Sequence, residues 1–189
     1  MRTSNGFTLI ELMVVIAIIG VLASVSIASL SEAREKANVA KTIQDMRGIQ
    51  TNISIYTNHT NSFPPRCDAV CNSGTDPFLN SLGARGWNGP YQSVWDRAHP
   101  WGGSYSISQY DTYQDGSIEM IIVLDDDRPG TNYSDNQGAV PLTALLAIDK
   151  IFDDGDLATG RFVGDSRDTL GPGATAVCPV GEGCWIIDF

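Results

Sequence analysis

The chain has 189 residues, 42% of them hydrophobic, and carries 12 Lys and Arg against 22 Asp and Glu for a net charge of -10. That length suits one globular unit, with room for an appendage, and the apolar fraction is enough to bury a core. Together these values exclude a fully disordered chain, a polytopic membrane protein and a basic nucleic-acid binder.

In chain order, residues 1–6 are short and polar and carry one Arg, Arg2. Residues 12–30 hold 15 apolar residues, interrupted only by Gly20, Ser24, Ser26 and Ser29 and by no charge. As a helix rising about 1.5 Å per residue, this run spans roughly 28 Å, enough to cross the hydrocarbon core of a bilayer. The next stretch, 31–57, turns polar but keeps a helical beat: Val39, Ile43, Met46, Ile49, Ile53 and Tyr56 recur at spacings of four and three. Glu32 and Lys36 stand four apart in the favourable order. No Pro precedes Pro64. The pattern predicts one helix from about residue 7 to about 57, on the order of 75 Å long, apolar at its start and amphipathic at its end.

Residues 58–189 are punctuated by Asn, Gly, Pro, Ser and Asp around short runs. Strands are expected at 104–108, 117–124, 160–163 and 184–189. Residues 142–151 fit a short helix or a strand, and periodicity does not decide between them. This part has 7 Lys and Arg against 18 Asp and Glu, and 16 of those acids are Asp.

The most informative segment is Gly6-Phe7-Thr8-Leu9-Ile10-Glu11-Leu12-Met13-Val14-Val15. A secretory signal peptide would leave its apolar run uncharged and place small residues after it. Here Glu11 stands at the leading edge of the run. A carboxylate at the centre of a span costs roughly 2.5 kcal/mol or more, so such a group usually has a partner. No Lys or Arg lies within helical reach of Glu11 inside the run. The partner is therefore expected to be a newly created charge or another chain.

This segment, with the helix behind it, resembles the type IV pilin superfamily, which includes type IV pilins, type II secretion pseudopilins and competence pilins. The resemblance implies an α+β pilin fold: a long N-terminal α-helix packed on a small antiparallel β-sheet head. It implies a leader, 1–6, cut after Gly6 by a prepilin peptidase, with Phe7 becoming an N-methylated terminus. Glu11 then neutralises the terminal amine of a neighbouring subunit during assembly. Residues 7–30 serve as membrane anchor and later as filament core, 31–57 as the amphipathic half of the helix, and 58–189 as the acidic head. The implied partners are further copies of the chain, an inner-membrane assembly platform and the peptidase. The implied location is the bacterial inner membrane, then a periplasmic or cell-surface filament. Many members carry a Pro that kinks the helix, where this chain has Ser26-Ile27-Ala28-Ser29.

Gly86-Trp87-Asn88-Gly89-Pro90-Tyr91, followed by His99-Pro100-Trp101-Gly102-Gly103-Ser104-Tyr105, resembles the G-type major pseudopilin of type II secretion, with His99 in place of an Asp. Pro100 fixes φ, Gly102 and Gly103 permit a bend, and Trp101 can cover a core edge. The chain is longer than that family usually is, and 58–85 forms a Cys-bearing insertion. The run from Ala147 to Gly160, with its Ile-Asp-x-Lys and Asp-Asp-Gly, resembles a segment of many pilin-like proteins. Pilus, pseudopilus and competence fibre therefore stay open.

Calcium is the one cofactor suggested. Asp125, Asp126 and Asp127 form one acidic cluster, and Asp149, Asp153, Asp154 and Asp156 another. Short carboxylates on flexible loops suit calcium, although neither cluster has the EF-hand spacing. G-type pseudopilins bind calcium in a loop after the first strands, about where Asp125–Asp127 fall. The alternative is turn chemistry, in which Asp side chains bond nearby backbone N–H groups, and Asp153-Asp154-Gly155 reads as such a turn.

Four cysteines allow three pairings. The local one, Cys67 with Cys71 and Cys178 with Cys184, is preferred for a head facing an oxidising exterior. A four-Cys zinc site is the rival, but the spacings match no common zinc pattern. No catalytic constellation appears: His59 and His99 both sit in loop-like contexts, and there is no nucleophile elbow or phosphate loop. Trp87, Trp95, Trp101 and Trp185 suit core or subunit contacts. The acidic head argues against nucleic acid as a partner. The second functional class is a membrane-tethered binding protein, or a minor pilin for adhesion or DNA uptake, that does not form the filament body. Asn52, Asn58 and Asn132 begin Asn-x-Ser/Thr triplets.

Overall fold

The computed structural model describes residues 8–92, 97–110, 117–130, 137–164, 178 and 182–187. The chain divides into two units, Met1–Ala37 and Asn38–Phe189. Helix α1, Leu9–Thr60, runs for 52 residues. It passes through 26–29 without a break, as a stretch lacking Pro allows. Ser24 and Ser26 donate their hydroxyls to the carbonyls of Val21 and Leu22, so these polar side chains are satisfied within the helix itself.

The second unit is built on a four-stranded antiparallel sheet in the order β1-β2-β4-β3, with β1 Ser104–Tyr110, β2 Glu119–Asp125, β3 Phe162–Gly164 and β4 Gly183–Ile187. The expected strands are all present, with ends shifted by a few residues; 188 and 189 lie outside the described residues. Residues 142–151, undecided in sequence, form helix α2, Leu142–Phe152. Its apolar Ala144, Leu145 and Ile148 are buried together, a spacing that only a helix brings to one face.

One face of the sheet, with Tyr105, Ile107, Met120, Ile122, Leu124, Phe162, Trp185 and Ile187, shares a core with Val39, Ile43, Met46, Ile49, Ile53 and Tyr56 of α1. All six residues of the helical stripe are therefore buried. The opposite face carries Ile121, Val123, Val163, Cys184, Ile186 and Cys178 in a smaller apolar cluster. This two-sided cover explains why β2 is buried at every position and reads as a continuous apolar run rather than an alternating one. A polar tie fixes α1 against β1: the Tyr105 hydroxyl donates to Asp45 at 2.8 Å, and Lys41 reaches the same carboxylate at 2.6 Å.

The insertion after α1 closes the outer edge of β1. Cys67 and Ile107 exchange backbone hydrogen bonds of 2.9 and 2.8 Å, so an edge that would otherwise invite pairing with another chain is partly covered. Phe78 is fully buried edge-on against Tyr56, and Tyr91 packs edge-on against both Tyr56 and Trp87. Arg97 forms a buried ion pair with Asp76 at 3.5 Å and donates to the carbonyl of Asp68.

Candidate functional site

The first candidate site begins at the N-terminus of α1. Thr8 is the residue before the helix, and Glu11 lies three positions on. The Thr8 amide and hydroxyl donate to Glu11 Oε2 at 2.9 and 2.8 Å, and the Glu11 amide donates back to the Thr8 hydroxyl at 3.3 Å. This is a reciprocal capping box, which satisfies helix-start donors that have no partner in the helix. It holds the carboxylate at the first turn. It supplies hydrogen bonds but no positive charge, so the charged partner expected for Glu11 is not given by Thr8. Gly6 and Phe7 lie outside the described residues.

Behind Glu11 the apolar residues are exposed. Leu9, Ile10, Leu12, Ile16, Ile19, Leu22 and Ile27 are all more than half exposed. The helix is long and apolar enough to cross a membrane. A soluble unit does not leave so contiguous an apolar surface in water.

The second candidate site lies at the end of the sheet. β2 ends in Asp125, and Asp126 and Asp127 follow; all three are buried. Asp125 is held by the Ser106 hydroxyl at 2.8 Å and by the Asp127 amide at 3.0 Å. Burial nonetheless pushes its carboxyl above the usual range. Because Leu124 pairs with Gly183 of β4, the register brings Glu182 to the same place. Burial, then the charges of Asp125, Asp126 and Asp127, drive the Glu182 carboxyl up to about 8. Sequence reasoning missed Glu182. Its only signal is that it is one of two Glu in a head whose other acids are Asp.

One carboxylate oxygen from each of Asp125, Asp126 and Asp127 lies within 4.8 Å of the others. Oxygens that share a calcium ion at about 2.3–2.6 Å can stand up to about 5.2 Å apart, so this spacing is compatible with a shared ion. The donor set is all oxygen and crowded with like charge, so it fits a hard divalent cation.

His99 supports this loop. It is 2% exposed, and its Nε2 lies 3.0 Å from the carbonyl of Asp125. The Trp101 amide donates to Nδ1 at 3.3 Å, which leaves the proton on Nε2 to bond the carbonyl. Burial holds the ring down to about 4, so it is neutral at physiological pH. A residue that reads as a loop histidine is thus a strut between the turn at 99–103 and the acidic loop. Close packing here demands glycine. A side chain on Gly103 would stand 2.1 Å from the Asp125 carbonyl, and one on Gly138 would stand 2.1 Å from the Gly103 amide.

The other acidic cluster follows α2. Asp154 accepts the Asp156 amide at 2.9 Å and the Thr159 hydroxyl at 2.9 Å, and Asp156 accepts the Ala158 amide at 3.1 Å. The turn chemistry expected of Asp153-Asp154-Gly155 is present. Asp149 differs, being fully buried at the end of the helix.

Cys67 bonds to Cys71 and Cys178 to Cys184, with Cα–Cα separations of 5.4 and 5.6 Å. No free cysteine remains, which leaves no thiolate for zinc. Trp185 is buried, Trp87 and Trp101 pack partly buried against the core, and Trp95 lies outside the described residues.

Two family models match the chain. Residues 1–27 match the prokaryotic N-terminal methylation motif, and residues 29–138 match type II secretion system protein G. Among curated proteins, type II secretion system core protein G of Pectobacterium carotovorum is 30% identical over 129 residues, covering 67% of this chain and 80% of the relative. The Escherichia coli protein of that name is 30% identical over 127 residues, covering 67% of this chain and 86% of the relative. A fimbrial protein of Moraxella nonliquefaciens is 42% identical over 69 residues, 36% of this chain and 42% of the relative. No solved structure matches the chain significantly.

Proposed function

Because the chain belongs to the protein G family of type II secretion systems, we propose that it is a pseudopilin, the repeating subunit of a type II secretion pseudopilus. It is a filament subunit processed by prepilin peptidase. The observation that carries this reading is the exposed apolar half of α1, led by Glu11 within a methylation motif. In this reading the peptidase cuts after Gly6, and methylated Phe7 becomes the new terminus. The helix first stores the subunit in the inner membrane. During assembly Glu11, held at the first turn by Thr8, receives the terminal amine of the neighbouring subunit. That supplies the positive charge that the capping box does not. Apolar surface then passes from lipid to neighbouring helices, and the acidic heads remain outside the cytoplasm. The role is structural rather than catalytic.

The head adds calcium at Asp125, Asp126 and Asp127, with Glu182 beside them. Bound there, the ion would neutralise a crowded set of acids and lock the loop to β2 and β4. His99 and Ser106 position Asp125 for this. Retention of Glu11 favours a body subunit over a tethered binding protein or a minor pilin outside the filament.

The test is intact mass and N-terminal fragmentation of protein from the native membrane and the sheared filament fraction. A chain beginning at methylated Phe7 in the sheared fraction is expected. A chain beginning at Met1, found only in membranes, would overturn the reading.

A further inference from the structure

Helix α2 ends in an arrangement that the pseudopilin reading does not use. It lies beyond residues 29–138, the part that matches protein G. Asp149, in the last turn of α2, is 0% exposed, and among the described residues neither of its carboxylate oxygens has a hydrogen-bond partner. The Gly155 amide faces the group and eases its charge slightly, but it does not meet hydrogen-bond geometry. Buried carboxylates are ordinarily hydrogen-bonded or paired with a cation. Here burial, and then the charges of three further acids, Asp154, Asp153 and Asp156, push the Asp149 carboxyl up to about 6.

The geometry points to a second hard-cation site, filled by calcium and formed by Asp149, Asp153 and Asp154. One oxygen from each of the three lies within 4.8 Å of the others, close enough for all three to reach one calcium ion at about 2.3–2.6 Å. Asp153 closes the helix end, its amide bonding the Asp149 carbonyl at 2.6 Å, so both carboxylates leave the same turn. Asp153 also accepts the Arg161 amide. Asp154 is fixed by Thr159 and the Asp156 amide. A carboxylate oxygen has two lone pairs, so each of these can still take a metal bond. The negative end of α2 adds to the attraction for a cation. Irregular loop geometry and oxygen ligands favour calcium over magnesium, which demands a stricter octahedron. Bound there, the ion satisfies Asp149 and pins the 153–161 loop to α2, next to β3.

The test uses the full-length protein in detergent micelles, stripped with a chelator and titrated with calcium chloride. Three proteins are compared: wild type, Asp149→Asn, and the double variant Asp126→Asn/Asp127→Asn, which removes the other cluster. Asp149→Asn is expected to lose one bound calcium, or to weaken that step at least tenfold. The double variant is expected to keep it. Equal stoichiometry and affinity in wild type and Asp149→Asn would overturn the site, whatever happens at Asp125–Asp127. Hydrogen exchange on wild-type protein gives a second reading that needs no variant. Calcium is expected to slow the amides of 149–161, and their exchange staying unchanged at saturating calcium would also overturn it.

Discussion

The two halves of helix α1 share one backbone geometry but treat their apolar residues in opposite ways. Ile16 and Ile19 are each 59% exposed, whereas Met46 and Ile53 are fully buried. The second half is sparser in apolar residues, yet its stripe recurs at spacings that put it on one face, and the sheet covers that face. The first half is apolar all round, and its large apolar residues are exposed. Apolar content alone therefore does not tell a core helix from a surface made for another environment. Internal cover does. The head repeats the contrast in charge. Asp76 is buried with Arg97 as its partner, while Asp149 is buried without one among the described residues.

The largest effect expected from this contrast is on assembly. Glu11→Leu should abolish filaments in the sheared fraction while leaving the protein in the membrane; filaments at wild-type yield would break the distinction. On stability, Arg97→Ala should cost about 3–5 kcal/mol, because it strands the buried carboxylate of Asp76. Chemical unfolding followed by Trp fluorescence would measure this. By the same assay Ile53→Ala should cost about 2–5 kcal/mol, and Ile16→Ala should leave the head's unfolding unchanged. Equal costs at the two positions would erase the difference between the halves.

Asp149→Asn should act in the opposite direction, and its effect should depend on pH. The folded carboxyl is raised to about 6 from an ordinary 3.8, so the folded state binds the proton more tightly than the unfolded chain. Charging it is unfavourable to the fold: the penalty is full above about pH 6 and gone below about pH 4. In chelator, the variant should be more stable than wild type by on the order of 3 kcal/mol at pH 7, with the gap closing toward pH 4. In calcium the gap at pH 7 should shrink or reverse. The smallest effect is at the helix start, where Thr8→Ala should cost about 1 kcal/mol of local helix stability. Faster amide exchange over the first turn is the expected sign.

Much of this was legible in the chain. The stripe from Val39 to Tyr56, the sequence positions of the strands and the local cysteine pairs all rest on short-range periodicity or spacing. Residues 142–151 were ambiguous because a short apolar run fits either period, and only packing chose the helix. His99 read as a loop residue because nothing local announces that Asp125, far along the chain, offers it a carbonyl. Glu182 was invisible for the same reason: it joins the acidic loop only through the register of β4 on β2.

The sequence by itself determined the long helix, its division into an apolar and an amphipathic half, and the acidic character of the head, since these follow from residues close in sequence. Only the tertiary structure decided that Glu182 joins the first acidic cluster and which carboxylates are shielded from water. Strand register and helix docking bring residues more than 50 positions apart, such as Asp125 and Glu182, into one electrostatic environment. Burial then sets how strongly their charges act on one another, because the interior screens them far less than water does.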